Sequence, residues 1–149
     1  MKRWLGIIAI IVLIFTACGG DNDEGTNNES NADFSVLYGE WRYYWSNFNT
    51  MIIYIISEDE IELYWETQNG IGSGLQRKYE IKKVKKDTNN QFGSNKNEYP
   101  EGFRIESVIA YSNSEYYVVG AAETLRFYLN ENKDKMEKDS DSYIKTPVE

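Results

Sequence analysis

The side chains that carry most covalent and metal chemistry are nearly missing from this chain. Its 149 residues include a single cysteine, Cys18, and no histidine. A Ser-His-Asp or Cys-His relay and an imidazole metal ligand are therefore excluded. One thiol can form neither an intramolecular disulfide nor a multi-thiolate zinc site. The composition therefore excludes these mechanisms, and no cofactor or metal ion is expected; a non-enzymatic protein is the leading expectation from the segments described below.

The chain is acidic, with 16 lysines and arginines against 24 aspartates and glutamates and a net charge of -8. Nucleic acid binds clustered cations that neutralise its phosphates, so no nucleic-acid partner is expected. One basic concentration occurs at residues 77–86, where six of ten side chains are cationic. We interpret it as the solvent face of a strand that pairs with the acidic residues 60–66.

The segment that precedes the cysteine has the composition of an export signal. Lys2 and Arg3 are followed by residues 4–15, which are almost wholly apolar, and then by Thr16 and Ala17. At 1.5 Å per residue, twelve helical residues cover about 18 Å, short of the roughly 30 Å hydrocarbon core. A cleaved signal peptide is therefore favoured over an uncleaved transmembrane anchor.

Phe15-Thr16-Ala17-Cys18 resembles the lipobox of bacterial lipoproteins, with phenylalanine where leucine is commoner. The resemblance implies cleavage after Ala17 and a diacylglycerol thioether on Cys18, with acyl chains such as palmitate. Acyl chains hold a protein on a membrane with about 0.8 kcal/mol per buried CH₂. The expected location is the extracytoplasmic face of a cell membrane, at the outer surface or in the periplasm according to Gram type.

The chain divides by composition into three parts. Residues 1–17 form the helical signal peptide. Residues 18–33 contain five acidic side chains, no basic one and almost no apolar one, which is typical of a disordered tether. Such a tether of 16 residues spans about 22 Å root-mean-square. Residues 34–149 form the folded domain.

The folded part is predicted to be all-β. It is rich in aromatic residues, which favour strands, and residues 60–66 alternate apolar and acidic side chains with the period of a half-buried strand. No segment shows the apolar spacing of a long amphipathic helix. The predicted strands cover residues 38–46, 50–57, 60–66, 75–86, 103–111, 115–121 and 124–130 and the neighbourhood of Tyr143.

Eight antiparallel strands with short connections form an up-and-down meander. Closing this sheet into a small barrel removes the two exposed edges that an open sheet would have. We therefore predict a closed or nearly closed barrel, with a two-sheet β-sandwich as the alternative.

The start of the first strand, Gly39-Glu40-Trp41, resembles the Gly-x-Trp of the lipocalin and calycin families. The resemblance implies that Gly39 permits a tight entry and that Trp41 closes one end of a barrel. The families also pack a basic residue from a late strand on that tryptophan; Arg126 is a candidate, although its neighbours in the sequence indicate an outward side chain. Such a barrel is a cup for a small ligand.

Four inward-facing aromatic residues are the candidate ligand-binding set: Trp41, Tyr43, Trp45 and Trp65. They predict a lipid-anchored module that binds either a small apolar or aromatic ligand or another envelope protein.

The alternative function is a hydrolase of envelope glycans that works with two carboxylates. Its candidate acids are Glu58, Asp59, Glu60, Glu62 and Glu66, and it requires two of them to face inward in one cleft.

Residues 130–141 are rich in oxygen donors but depart from the calcium-binding pattern. Lys135 stands where the EF-hand loop needs glycine, and Asp141 stands where it needs a bidentate glutamate. We interpret the segment as a solvated hairpin loop and not as a metal site.

Replacing the single cysteine tests the predicted anchor. Cys18→Ser removes the only thiol that can accept the diacylglycerol, so the protein is expected to leave the membrane fraction or to stay as uncleaved precursor. Fractionation followed by mass spectrometry measures both outcomes. Unchanged membrane fractionation of a fully processed Cys18→Ser protein contradicts the anchor.

Overall fold

The computed structural model of the protein describes residues 32–87 and 97–147. The predicted signal peptide, Cys18 and the tether up to residue 31 lie outside the described residues. Eight antiparallel strands form the fold: β1 (Gly39–Trp45), β2 (Thr50–Ile56), β3 (Glu60–Thr67), β4 (Gly74–Lys86), β5 (Glu101–Ser112), β6 (Ala122–Leu129), β7 (Lys135–Lys138) and β8 (Asp141–Lys145). Two 3-10 turns, Ser35–Leu37 and Ser46–Phe48, flank β1.

The strands follow one another around a closed barrel in sequence order. Each strand pairs with its neighbour in the chain, and β1 also pairs with β8 through Trp41 opposite Lys145 and Arg42 opposite Ile144. The predicted all-β up-and-down meander is confirmed, and closure by the β1–β8 pairing excludes the two-sheet sandwich.

Alternation of side chains explains which residues fill the interior. In β3, Ile61 and Leu63 are buried, whereas Glu60 and Glu62, which alternate with them, are partly exposed on the outer face. In β5, the predicted inward face is buried throughout: Phe103, Ile105, Ser107 and Ile109. The period-2 pattern therefore places one apolar face in the core and one ionic face in water.

Two strand assignments differ from the prediction, although the number eight is unchanged. Residues 115–121 form no strand. They connect β5 to β6, and Gly120 in this connection has a positive φ of +90°. The segment taken for a solvated loop contains β7, with Met136 fully buried. The strand has only four residues, three of them charged, so its sequence shows too little alternation to predict a strand. Its strand conformation depends on pairing with β8.

One end of the barrel is closed by the first 3-10 turn and Trp41. The Trp41 indole is fully buried and its Nε1 donates a 2.7 Å hydrogen bond to the carbonyl of Leu37. The Lys145 ammonium lies 5.1 Å from the centre of the Trp41 ring and donates a 3.0 Å hydrogen bond to the Val36 carbonyl. Strand β8 therefore supplies the cation that packs on this tryptophan.

Arg126, the candidate for that role, lies elsewhere. Its side chain is on the outer face of β6, with Nε 3.6 Å from Asp87 Oδ2. Its neighbours Leu125 and Phe127 are the inward residues, so alternation directs Arg126 outward. Gly39 fits the tight entry described above, since its φ is +115° and a Cβ there would lie 3.5 Å from the Lys145 side chain.

Large side chains fill the barrel from the closed end to its middle. Six of the fully buried residues come from six different strands: Trp41, Ile56, Ile61, Tyr79, Phe103 and Phe127. Three aromatic contacts lie across this interior, with ring centres 5.4 Å apart for Tyr43 and Tyr143, 5.4 Å for Tyr54 and Tyr143, and 5.8 Å for Tyr54 and Phe127. A small barrel is filled in this way by its own side chains.

Truncating the buried tryptophan tests how much the closed end contributes. Trp41→Ala removes a fully buried indole, its hydrogen bond and the partner of Lys145, so the free energy of unfolding is expected to fall by about 3–5 kcal/mol. Ile144→Ala, an exposed residue of the adjacent strand, is the control and should change it by less than about 0.5 kcal/mol. Chemical denaturation measures both, and wild-type stability in Trp41→Ala contradicts this account.

Candidate functional site

The end of the barrel opposite the Trp41 turn carries a cavity of about 790 Å³. It lies where β1, β2, β3 and β4 meet their two connecting turns. Its size is within the range of small-molecule sites. The residues around it are Trp45, Phe48, Asn49, Thr50, Trp65, Thr67, Gln68, Asn69, Ile71 and Gly72. We call this cavity the mouth.

The β1–β2 turn places one aromatic pair at the mouth. Trp45 ends β1, and the 3-10 turn Ser46–Phe48 brings the Phe48 ring to 4.0 Å from the Trp45 ring at 48°. Asn49 then reverses the chain in the left-handed conformation, with φ of +49°. Asparagine tolerates this conformation better than most residues.

The β3–β4 turn places an aliphatic side chain on the opposite side. Gly70 and Gly72 have positive φ values of +72° and +74°, which glycine adopts without strain. Thr67 fixes the turn, because its Oγ1 donates to the Ile71 carbonyl at 2.7 Å and its N–H donates to Ser73 Oγ at 2.8 Å. The turn holds Ile71 exposed above the mouth.

The polar groups around the mouth are largely engaged with one another. Asn49 donates from its amide to Gln68, and the Gln68 N–H donates to the Asn49 carbonyl at 3.4 Å. Thr50 Oγ1 donates to the Phe48 carbonyl at 2.9 Å, and Asn69 Oδ1 accepts from the Ile71 N–H at 3.1 Å. The mouth contains no charged side chain among its lining residues. Its accessible surface is therefore mainly two indoles, one phenyl ring and one isoleucine.

The four candidate ligand-binding residues separate into two groups. Trp45 and Trp65 line the mouth, as a ligand site requires. Tyr43 lies deeper, beside Tyr143, and is not part of the lining. Trp41 is at the closed end, where it contacts the Leu37 carbonyl, and the structure gives it a packing role.

Sequence reasoning missed Phe48 and Ile71. Both are large apolar residues inside turns whose other members are serine, asparagine, glutamine or glycine. A large apolar side chain at an exposed turn position does not stabilise the fold by burial. Its presence in an otherwise polar turn is the signal that could have identified Phe48 and Ile71.

Three tyrosines, Tyr54, Tyr79 and Tyr143, are buried in the barrel interior. Burial raises the pKa of Tyr54, Tyr79 and Tyr143 well above the ordinary value, and the Arg77 charge opposes this for Tyr54 and Tyr79. Within residues 32–87 and 97–147, no hydrogen bond involves the hydroxyl of any of these three. Burial, together with the hydrogen bond to Asp87, raises the pKa of Tyr128 to about 12.

An ion pair lies on the β4–β6 side of the barrel interior. Arg77 Nη1 is 3.8 Å from Glu123 Oε1, and both side chains are less than one third exposed. The Arg77 guanidinium carbon also lies 3.8 Å from the centre of the Tyr117 ring. Tyr117 belongs to the β5–β6 connection, so this stacking holds that connection against the barrel wall.

The carboxylates of the hydrolase alternative lie on the outer surface. Glu58, Asp59 and Glu66 are exposed. Glu60 and Glu62 pair with Lys78, at 2.6 Å and 3.5 Å from its Nζ. The geometry therefore brings none of these five carboxylates into the mouth.

The basic residues 77–86 take part in similar outer-face ion pairs. Lys78 pairs across strands with Glu60 and Glu62, and Lys86 pairs with Glu101. These contacts support the interpretation of the segment's lysines as a solvated strand face, whereas Arg77 forms the interior ion pair with Glu123.

The oxygen-rich residues 130–141 are engaged by the protein. Asn130 Oδ1 accepts from the N–H groups of Asp134 and Lys135 at 3.1 Å and 3.0 Å, and Asn130 Nδ2 donates to Asp134 Oδ1 at 2.7 Å. In the part of the chain that the structure describes, no group of three or more metal-binding side chains occurs.

Comparisons with protein-family models, with curated proteins and with solved structures gave no match. The class of protein is therefore defined by its own geometry: a small all-β protein with a closed, eight-stranded antiparallel barrel. This architecture is compatible with a lipocalin-like fold and with a binding module. No helix within residues 32–87 and 97–147 is long and apolar enough to cross a membrane.

The raised tyrosine pKa values predict instability in alkali. Below pH 10 a tyrosine is neutral in both states, but above it the unfolded chain ionises while the buried phenol keeps its proton. The stability contribution is therefore complete below pH 10 and is lost above it, by about 1.4 kcal/mol per pH unit for each such tyrosine. Denaturation at pH 7 to 12 measures the effect.

Single substitutions isolate one phenol. Tyr54→Phe loses no hydrogen bond to a described residue, so it should lower the free energy of unfolding at pH 7 by less than about 1 kcal/mol. Above pH 10 it should reduce the fall of that free energy with pH by the contribution of one tyrosine. Tyr116→Phe, at an 84 % exposed position, is the control and should leave the slope unchanged. Equal slopes in both variants contradict the raised pKa of Tyr54.

Proposed function

We propose that the protein is a lipocalin-like binding module for a small, uncharged, apolar or aromatic ligand held at the mouth. One observation carries the proposal: Trp45, Phe48, Trp65 and Ile71 surround a cavity of about 790 Å³ that has no charged lining residue. Apolar side chains that gather around a concave cavity are typical of a ligand-binding site, whereas single exposed apolar residues are common on any protein surface.

The chemistry of the ligand follows from what the lining leaves available. The amides of Asn49 and Gln68 bond to each other, and the Thr50 and Thr67 hydroxyls bond to backbone carbonyls. A sugar would require several of these donors and acceptors to be rearranged. An apolar or aromatic ring gains from contact with the indoles and requires no such change.

The closed end supports the lipocalin-like interpretation. Gly39 enters β1 at positive φ, Trp41 fills the barrel end, and the Lys145 cation packs over its ring. This is the arrangement expected from the Gly-x-Trp resemblance, with a lysine of β8 as the basic partner.

The lipid anchor belongs to the same proposal. Cys18 would carry the diacylglycerol, residues after it would connect the anchor to the barrel, and the barrel would lie on the extracytoplasmic face of the membrane. The proposal rests on the residues around Cys18 in the sequence. A module of this kind would hold its ligand close to the envelope without acting on it chemically.

Titration with N-phenyl-1-naphthylamine, a neutral aromatic probe, tests the mouth. The intact chain is expected to bind the probe with enhanced, blue-shifted fluorescence. Trp65→Ala and Ile71→Ser remove lining surface and should each weaken binding about tenfold, which corresponds to 1.4 kcal/mol.

Ile144→Ser, on the outer face of β8, is the matched control for Ile71→Ser, since both isoleucines are exposed and apolar. It should leave probe affinity unchanged. Equal affinity of the probe for Ile71→Ser, Trp65→Ala and the parent chain contradicts the proposed ligand site. Binding of a partner protein would then better explain the exposed apolar residues of the mouth.

A further inference from the structure

We propose that the mouth end of the barrel contacts an electrically neutral lipid bilayer through an apolar rim. The rim is defined as the exposed large apolar side chains of three connections at this end: Phe48, Ile71, Tyr116, Val118 and Val119. This inference does not rest on the proposed ligand, because the rim can contact lipid without an occupant in the mouth, although Phe48 and Ile71 also line the cavity.

The exposure of the rim is large and is fixed by the fold. Ile71 is 77 % exposed, Tyr116 84 % and Val118 69 %. The β5–β6 connection is held in place because the Gly120 N–H donates to the Ile109 carbonyl at 2.8 Å and the Ala121 N–H donates to the Val118 carbonyl at 3.0 Å. Its valines are therefore presented to solvent by a hydrogen-bonded loop.

Tyr117 shows how the loop is directed. Its ring packs back on the Arg77 guanidinium at 3.8 Å and is only 39 % exposed, while the residues on either side point outward. One aromatic residue thus fastens the loop to the barrel, and Tyr116 and Val118 are left at its outer surface. Solvent-exposed placement of such residues without a partner is costly in water.

Charge distinguishes the two ends of the barrel. Residues 46–49, 68–73 and 113–121 contain a single charged side chain, Glu115. The fourth turn at this end adds Asp139, which pairs with Lys138. The connections at the opposite end carry six exposed or partly exposed acids in the described residues: Glu58, Asp59, Asp87, Glu98, Glu131 and Asp134.

This asymmetry matches a bilayer surface. Tyrosine, phenylalanine, valine and isoleucine partition into the interfacial region, whereas unpaired carboxylates resist leaving water. The rim residues project from three separate turns at the same end of the barrel, and a fluid interface accepts such projections without a complementary shape. The near absence of charge from the three turns points to neutral lipid instead of an anionic surface.

The position of the preceding chain allows this orientation. Ala32, the first described residue, is bonded at the closed end of the barrel, where its N–H donates to the Val84 carbonyl at 3.0 Å. Fourteen residues separate it from residue 17, the end of the predicted signal segment, and at up to about 3.5 Å each they reach about 50 Å. A seven-residue strand is about 23 Å long. The chain is therefore long enough for the rim to meet the membrane to which its N-terminal segment is predicted to attach.

Local fluorescence in the full chain tests the contact. In a Cys18→Ser background, a bimane label is attached at Val118→Cys and, in a second protein, at Ile144→Cys on the outer wall. Both proteins keep residues 1–17 and are mixed with phosphatidylcholine vesicles. The label at residue 118 should shift to the blue and lose quenching by aqueous iodide, and the label at residue 144 should do neither.

A third protein shows that the rim acts as a unit. With the label at Ile71→Cys, the blue shift should be lost when Val118→Asp and Val119→Asp are added, and far-UV circular dichroism should confirm that the fold is retained. An unshifted label at residue 118 overturns the proposal. So does an equal shift at residues 118 and 144, a shift without vesicles, which would mean contact between copies of the chain, or a shift with phosphatidylglycerol vesicles alone.

Discussion

The pairing of β1 with β8 is the constraint on which the rest of the structure depends. Two register pairs, Trp41 with Lys145 and Arg42 with Ile144, turn an eight-stranded meander into a barrel without free edges. At the same point the Lys145 cation covers the Trp41 ring and bonds to the Val36 carbonyl. Strand closure and the packing of the closed end are therefore one interaction, and an open sheet would lose both.

Closing one end makes the two ends of the barrel unequal. The Trp41 end is filled by fully buried side chains and bordered by acidic turns. The cavity of about 790 Å³ lies at the opposite end, which Trp45 and Trp65 reach. Ligand binding and lipid contact, as proposed here, use the same end because the core occupies the other.

Alternation along long strands could be recognised without tertiary information. The inward faces of β3 and β5 could be predicted residue by residue, because each strand is long enough to repeat the period-2 pattern several times, which a helix would not do. Residues 115–121 and β7 could not be assigned in this way. Val118 and Val119 have strand propensity yet lie in a loop held by Arg77, while the polar β7 is a strand because β8 pairs with all four of its residues.

The sequence by itself determined the absence of histidine chemistry, the single cysteine at residue 18 and the all-β pattern, since residue type and local period suffice for each. Only the tertiary structure decided that Trp45 and Trp65 share a cavity while Trp41 does not, and that Lys145 packs on Trp41. Those outcomes depend on strand register and barrel closure. Both are set by contacts between residues as far apart as Trp41 and Lys145, which no local pattern encodes.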